Sequence, residues 1–248
     1  MKGMTQRSGK WILSAGLGLA ALSMLSAFAP NSLGQAGGAQ KSDATVPRTA
    51  DGHPDLTGRY RFAAGNPAQQ SVAFKPGAKA KYLRPVKPGA CVMGGTPTTI
   101  TMQSTQKGAI QLVQGPGFLW ILSEDPQSVI WVPTDGRPHS DDPDVSFIGE
   151  SVGRWDGDTL VVDTVAIDPK MRNISVGLGG LANAWAHSDK EHVIQRFSRP
   201  SKNDLVYQVT VEDPVVLAKP YASAAMHLSL AGPDENWKQR VPRAGCDF

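Results

Sequence analysis

The sequence predicts an all-β, antiparallel fold closed into a barrel, with a β-sandwich as the alternative. Three observations predict it. Short apolar runs recur along the chain, punctuated by Gly, Pro, Asp and Asn (26 glycines and 19 prolines in 248 residues). Several runs are joined by only a few turn residues, which favours antiparallel neighbours. No long amphipathic helix follows the first 36 residues, which argues against an alternating α/β chain.

Residues 1–36 read as a signal peptide. Lys2, Arg7 and Lys10 precede the uncharged apolar run Trp11 to Ala29, and Gly34-Gln35-Ala36 supplies a cleavage site. Arg7 is not doubled and no cysteine ends the apolar run, so the expectation is Sec-type export to the periplasm or beyond, without a lipid anchor. The signal carries three of the 25 basic residues and none of the 22 acidic ones, so the mature chain balances at 22 of each. That neutrality argues against nucleic acid or an anionic membrane as a partner. Residues 37–50, small and polar, read as a flexible leader. Residues 51–248 have the length of one β-rich domain with a sizeable core. In an oxidising compartment Cys91 and Cys246 are expected to form one disulfide, contributing on the order of 4 kcal/mol through its large loop. Neither cysteine sits in a C-x-x-C, so a redox or metal role is not expected.

The elements follow in order. Strands are predicted at Leu56–Phe62, Thr98–Gln103, Ala109–Gln114, Phe118–Leu122 and Ser128–Val132. A hairpin follows, with arms Ser151–Trp155 and Thr159–Ile167 around Asp156-Gly157-Asp158, because Asp-Gly between apolar runs supplies the turn. Further strands are predicted at His192–Ser198, Leu205–Val211, Ala225–Leu230 and Trp237–Val241. Lys75–Leu83 and Leu178–Ala186 suit short helical turns. Alternation places Leu205, Tyr207, Val209 and Val211 on one face, and sets Val193 and Phe197 opposite His192, Ile194 and Arg196.

Several candidates for chemistry stand out. Gly149-Glu150-Ser151-Val152-Gly153 matches G-x-S-x-G, but a nucleophile elbow needs a helix after the serine, and here a hairpin follows. Serine hydrolysis is therefore disfavoured, and the glycines suit a bend or bulge at strand entry. His187 ends a stretch of small residues with Trp185, a setting that suits an acid–base group or a hydrogen-bonded loop histidine. Asp135, Arg137 and His139 follow a strand. Arg137 suits either a substrate clamp or an ion pair with a neighbouring acid. The stretch His139 to Asp144 lacks the twelve-residue calcium pattern. His187 and His192, five apart, do not give the i,i+4 pair of a zinc helix, so no metal site is assigned. Trp155, Trp185, Tyr207, Tyr221 and His192 would suit the wall of an organic-ligand pocket, or the core. No Walker loop or Rossmann fingerprint is present, and no organic cofactor is expected.

Several motifs together resemble one family of secreted bacterial proteins. They are Asp51-Gly52-His53-Pro54-Asp55-Leu56-Thr57-Gly58, Gly94-Gly95-Thr96-Pro97 after Cys91, Asp135 to Ser140, Ser151 to Thr164, His187-Ser188, Gln195-Arg196-Phe197 and Glu212-Asp213-Pro214. Family members often carry Glu where this chain has Gln195. The resemblance implies export and a lipocalin-like barrel, and by itself implies no activity.

Two functions follow from these residues, with a structural role at the cell surface or envelope as a third reading. The first is a cofactor-independent acid–base enzyme, an isomerase, dehydratase or other lyase, acting on a small, partly apolar organic molecule. His187 would move the proton, Asp135 or Asp163 would orient it, and Arg137 would stabilise developing charge. The second is a periplasmic carrier of a lipophilic compound, which needs only a lined cavity. Oligomeric state is not legible.

Overall fold

The computed structural model describes residues 45–66, 71–84, 95–101, 108–124, 127–170, 172–173 and 184–232. All belong to one compact unit, residues 42–248. Its strands are β1 (Gly58–Phe62), β2 (Ala109–Gly115), β3 (Phe118–Glu124), β4 (Gln127–Pro133), β5 (Glu150–Asp156) and β6 (Thr159–Val165). They continue as β7 (Arg172–Asn173), β8 (Trp185–Ala186), β9 (His192–Ser201), β10 (Asp204–Glu212), β11 (Tyr221–Ala222) and β12 (Met226–Leu230). Nine of these pair in the order β4-β3-β2-β1-β12-β10-β9-β6-β5, each antiparallel to the next, with β11 on the flank of β10 and β7–β8 as a separate ribbon. Read around the ring, this is an up-and-down meander: each main strand lies beside its predecessor, and the last returns to β1. The result is a nearly closed antiparallel barrel, not the alternative sandwich.

Period-two alternation fills the barrel. Leu205, Tyr207, Val209 and Val211 of β10 point inward with Val193 and Phe197 of β9, as do Ile110, Leu112, Leu119, Ile121, Ile130 and Val132. Tyr60, Tyr207 and Tyr221 are all buried in the core; the phenol of Tyr60 is pushed up to about 12 by its burial, against the opposing pull of Arg199. Arg199, also buried, plugs this end: its guanidinium donates to the carbonyls of Asp55 and Lys202.

The seam between β4 and β5 depends on Gly153. A Cβ there would stand 2.9 Å from Thr134 Cγ2, 3.0 Å from Val132 Cγ1 and 3.2 Å from the Pro133 carbonyl. Gly149 has φ +66°, and its Cβ would lie 2.4 Å from the Val165 carbonyl. Both glycines of the G-x-S-x-G match are thus needed for close backbone approach. Ser151 is buried, its Oγ 2.9 Å from Thr164 Oγ1 across the hairpin.

The Gly-His-Pro-Asp motif packs against the same hairpin. His53 stacks on Trp155 with ring centroids 4.4 Å apart, and Arg48 forms a two-pronged bond to Asp158 at 2.9 and 2.7 Å. Arg48 and Thr49, placed by the sequence in a flexible leader, are therefore tied to the barrel.

Two assignments need correction. Thr98–Thr101 is a one-turn helix, α2, rather than the start of a strand. Pro97 presets the first turn, and the Gly95 and Pro97 carbonyls accept the Thr99 and Thr101 amides. In the predicted helix Leu178–Ala186, Trp185 and Ala186 form β8 instead, paired with β7; Ala184 is not helical, and residues 178–183 lie outside the described residues. The short helix at Lys75–Leu83 is present as α1 (Ala78–Tyr82). Cys91, Cys246 and Trp237–Val241 lie outside the described residues.

Gly153→Val is expected to lower stability by about 1–3 kcal/mol through overpacking of the seam, read as a lower urea midpoint. An unchanged midpoint would show that β4 and β5 do not touch there.

Candidate functional site

One belt of residues crosses the barrel end where β9 begins. Ser151 of β5 opposes Thr164 of β6, Thr164 opposes Val193 of β9, Val193 opposes Val211 of β10, and Val211 opposes Tyr221 of β11. Trp185 meets the Tyr221 ring edge-on at 5.7 Å. One layer deeper, Tyr207 donates to Gln195 Oε1 at 2.9 Å and packs on Phe197. Burial raises the Tyr207 phenol well above its usual range, with Tyr221 adding to the effect.

His187 lies beside this belt, two residues past Trp185, with its side chain fully buried. Its Nδ1 is 2.9 Å from the Ser188 carbonyl and 3.0 Å from Glu191 Oε2, and the Glu191 side chain is equally buried. Two oxygen acceptors beside one nitrogen require a hydrogen on it, so Nδ1 carries the proton in either charge state. Nε2 has no hydrogen-bond partner among the described residues. Burial alone would lower the pKa of this ring; Glu191, by hydrogen bond and charge, outweighs that and the net shift is upward, helped by the Ser188 carbonyl and Asp213. The segment is pinned from below. Ser188 donates its N–H and Oγ–H to Asp213 at 2.7 and 2.8 Å, and Asp213 also accepts the amides of Val215 and Val216.

A second network runs on the outer wall of the same end. Glu150, His139, Asp163, His192 and Glu212 alternate as carboxylate and imidazole. His139 bridges Glu150 (2.9 Å) and Asp163 (3.1 Å), and His192 bridges Asp163 (2.7 Å) and Glu212 (3.3 Å). Ser140 donates its amide and hydroxyl to Glu150. The Asp163 hydrogen bond raises the His192 pKa, against partial desolvation and with further help from Glu212. For Asp163, partial burial pushes the pKa up, but His192 and His139 outweigh it and the net shift is downward. An imidazole between two carboxylates can donate to both only as the imidazolium. Both nitrogens of each ring are already engaged, which leaves neither free for a substrate proton.

The nine candidate residues thus divide. His187, Trp185, Tyr207 and Tyr221 share the barrel interior. Asp163 and His192 meet each other on the outer wall, so Asp163 does not orient His187. Asp135 and Arg137 form a two-pronged ion pair on the surface, which brings Asp135 down to about 2. Their partner is each other rather than His187. Trp155 is taken by His53. Glu191, Gln195, Glu150 and Glu212 were missed. Alternation carried two residues back from Val193 would have placed Glu191 inside; Glu150 and Glu212 had no comparable signal, because cross-strand neighbours are not legible from one strand.

Among the described residues, no group of three or more His, Cys, Asp or Glu stands in an arrangement that could hold a metal ion, and no helix is long and apolar enough to cross a membrane. No family model, curated protein or solved structure matches the chain.

The raised rings have a pH consequence. His187 and His192 hold protons more tightly when folded than in the unfolded chain, where histidine titrates near ~6.5. Their contribution to stability is complete below that value and is lost as pH rises through the folded values. Asp163→Asn is expected to move the NMR titration of His192 to lower pH and to flatten this loss. An unmoved His192 midpoint would contradict the chain as described.

Proposed function

We propose that the protein is a small-molecule enzyme doing acid–base chemistry on a partly apolar organic compound held at the Trp185 end of the barrel, with His187 as the proton-transfer group. One observation carries the proposal: Nδ1 of His187 is committed to Ser188 and Glu191, while Nε2 is sealed from solvent and unpartnered among the described residues. A ring held through one nitrogen with the other left over is the form a general base or acid requires. Glu191 takes the orienting role that the sequence reading gave to Asp135 or Asp163. Trp185, Tyr207 and Tyr221 provide the aromatic wall.

A carrier of a lipophilic compound is the second reading. It is favoured by the aliphatic character of the surrounding interior, where Val193, Val211, Val216 and Leu217 are buried. Export belongs to both readings: the basic n-region, the apolar run and Gly34-Gln35-Ala36 support cleavage near residue 36 and a periplasmic or secreted location. A Cys91–Cys246 disulfide and kinship with lipocalin-like exported barrels are part of the same proposal; the meander order supports the latter.

Denaturing extraction of the purified mature protein, followed by mass spectrometry, is expected to release a small organic compound that Trp185→Ala no longer retains. Wild type should convert that compound, and His187→Gln should bind it without converting it. Retained conversion in His187→Gln would overturn the acid–base assignment. Binding without conversion by wild type would favour the carrier. The intact mass of the exported protein is expected to show loss of residues 1–36 and of two cysteine hydrogens; a full-length or fully reduced mass would contradict export or the disulfide respectively.

A further inference from the structure

Beside His187, the interior holds two polar groups that its own aliphatic and aromatic neighbours do not satisfy. Trp185 Nε1 and Gln195 Nε2 are buried and have no hydrogen-bond partner among the described residues. Trp185 offers only a donor. In Gln195 the oxygen already accepts from Tyr207, which leaves the NH2 group with its two hydrogens. These residues belong to one connected interior patch: Trp185 touches Tyr221, Tyr221 pairs with Val211 of β10, and Tyr207, on the same inward face of β10, bonds Gln195. The unmatched groups on this patch are therefore donors, and His187, whose Nε2 is also buried and unpartnered among the described residues, follows Trp185 by two residues. A buried donor left unmade costs about 1–3 kcal/mol, so a guest that supplies an acceptor is favoured over one that does not.

We infer that the compound bound here is an uncharged carbonyl compound with an apolar body, and that its oxygen accepts from Trp185 Nε1, Gln195 Nε2 or both. This rests on the interior binding reading above and names its substrate class. Amines are disfavoured because they bring further donors, and pure hydrocarbons because they leave both donors unmade. A carboxylate would add a buried anion beside Glu191. The class also fits the chemistry proposed for His187. In its neutral form Nε2 takes a proton from the carbon next to the carbonyl; the C–H electron pair forms the C=C bond of an enolate whose oxygen charge the donors hold. Return of the proton to the same or a conjugated carbon restores the ketone, as starting material or isomer, with no redox partner.

Acetophenone, ethylbenzene and benzylamine share a ring and differ in the head group, so they serve as probes for the full mature protein. The readouts are the Trp185 indole 15N–1H signal, identified by its absence in Trp185→Phe, and deuterium uptake into the acetophenone methyl in D2O. Acetophenone is expected to shift the indole signal and to bind about three- to tenfold more tightly than ethylbenzene, the range of one net hydrogen bond. Its methyl should exchange faster than in buffer, and His187→Gln should abolish that excess while leaving the indole shift. Equal binding of acetophenone and ethylbenzene, or tighter binding of benzylamine, would overturn the carbonyl assignment while leaving interior binding in place. Binding of acetophenone without exchange would uphold the carbonyl assignment and overturn the proton-transfer role of His187. No perturbation of Trp185 by any probe would overturn interior binding, and this inference with it.

Discussion

The register of β9 against β10 is the constraint on which both polar networks depend. His192 opposes Glu212, and the ladder runs without a shift from there to Val206. Because successive side chains on a strand point to opposite faces, the residues at this end sort strictly. Glu191 and Asp213 turn inward and are buried; His192 and Glu212 turn outward and stay partly wet. Glu191 then holds His187 and Asp213 holds Ser188, while His192 and Glu212 build the outer chain with Asp163. A slip of one residue would exchange the two sets, burying His192 and stranding Glu191 in solvent. The inner groups are apolar or paired and the outer ones charged, so the slipped register would bury charge without partners. Strand register and electrostatics therefore specify the same arrangement.

Closure of the meander holds that register in place. β5 and β6 form the last hairpin of the path, and the sheet returns toward β4 only because Gly153 lets the strands touch. The far side of the hairpin is held by Arg48 on Asp158 and His53 on Trp155. The two most recognisable sequence motifs, Gly-His-Pro-Asp-Leu and the hairpin run, are thus contact partners. Their prominence reflects barrel closure; in particular, the serine of G-x-S-x-G spends its hydroxyl on Thr164.

Most of the architecture was legible because it depends on local rules. Alternation marked Leu205 to Val211 as one inward face, and Asp156-Gly157 marked the hairpin turn. Thr98–Thr101 misled because threonines favour strands, while Pro97 and the Gly95 carbonyl set a helical turn locally. The site was half legible. His187 and its aromatic neighbours stood out by type, but their partners depend on which strand lies beside which. Asp163 sits five residues past the Asp156-Gly157-Asp158 turn with no local clue that it meets His139 and His192 rather than His187. Asp135 was misplaced for the opposite reason: its partner, Arg137, was two residues away, and local pairing prevailed.

The sorting of histidines by the β9–β10 register is open to one direct measurement. A soluble gadolinium chelate broadens NMR signals according to their distance from solvent. Added to the mature protein, it is expected to broaden the ring signals of His139 and His192 and to leave those of His187 sharp. Broadening of His187 to the same degree as His192 would contradict the sealed interior pair, and with it the account of how this barrel separates its two networks.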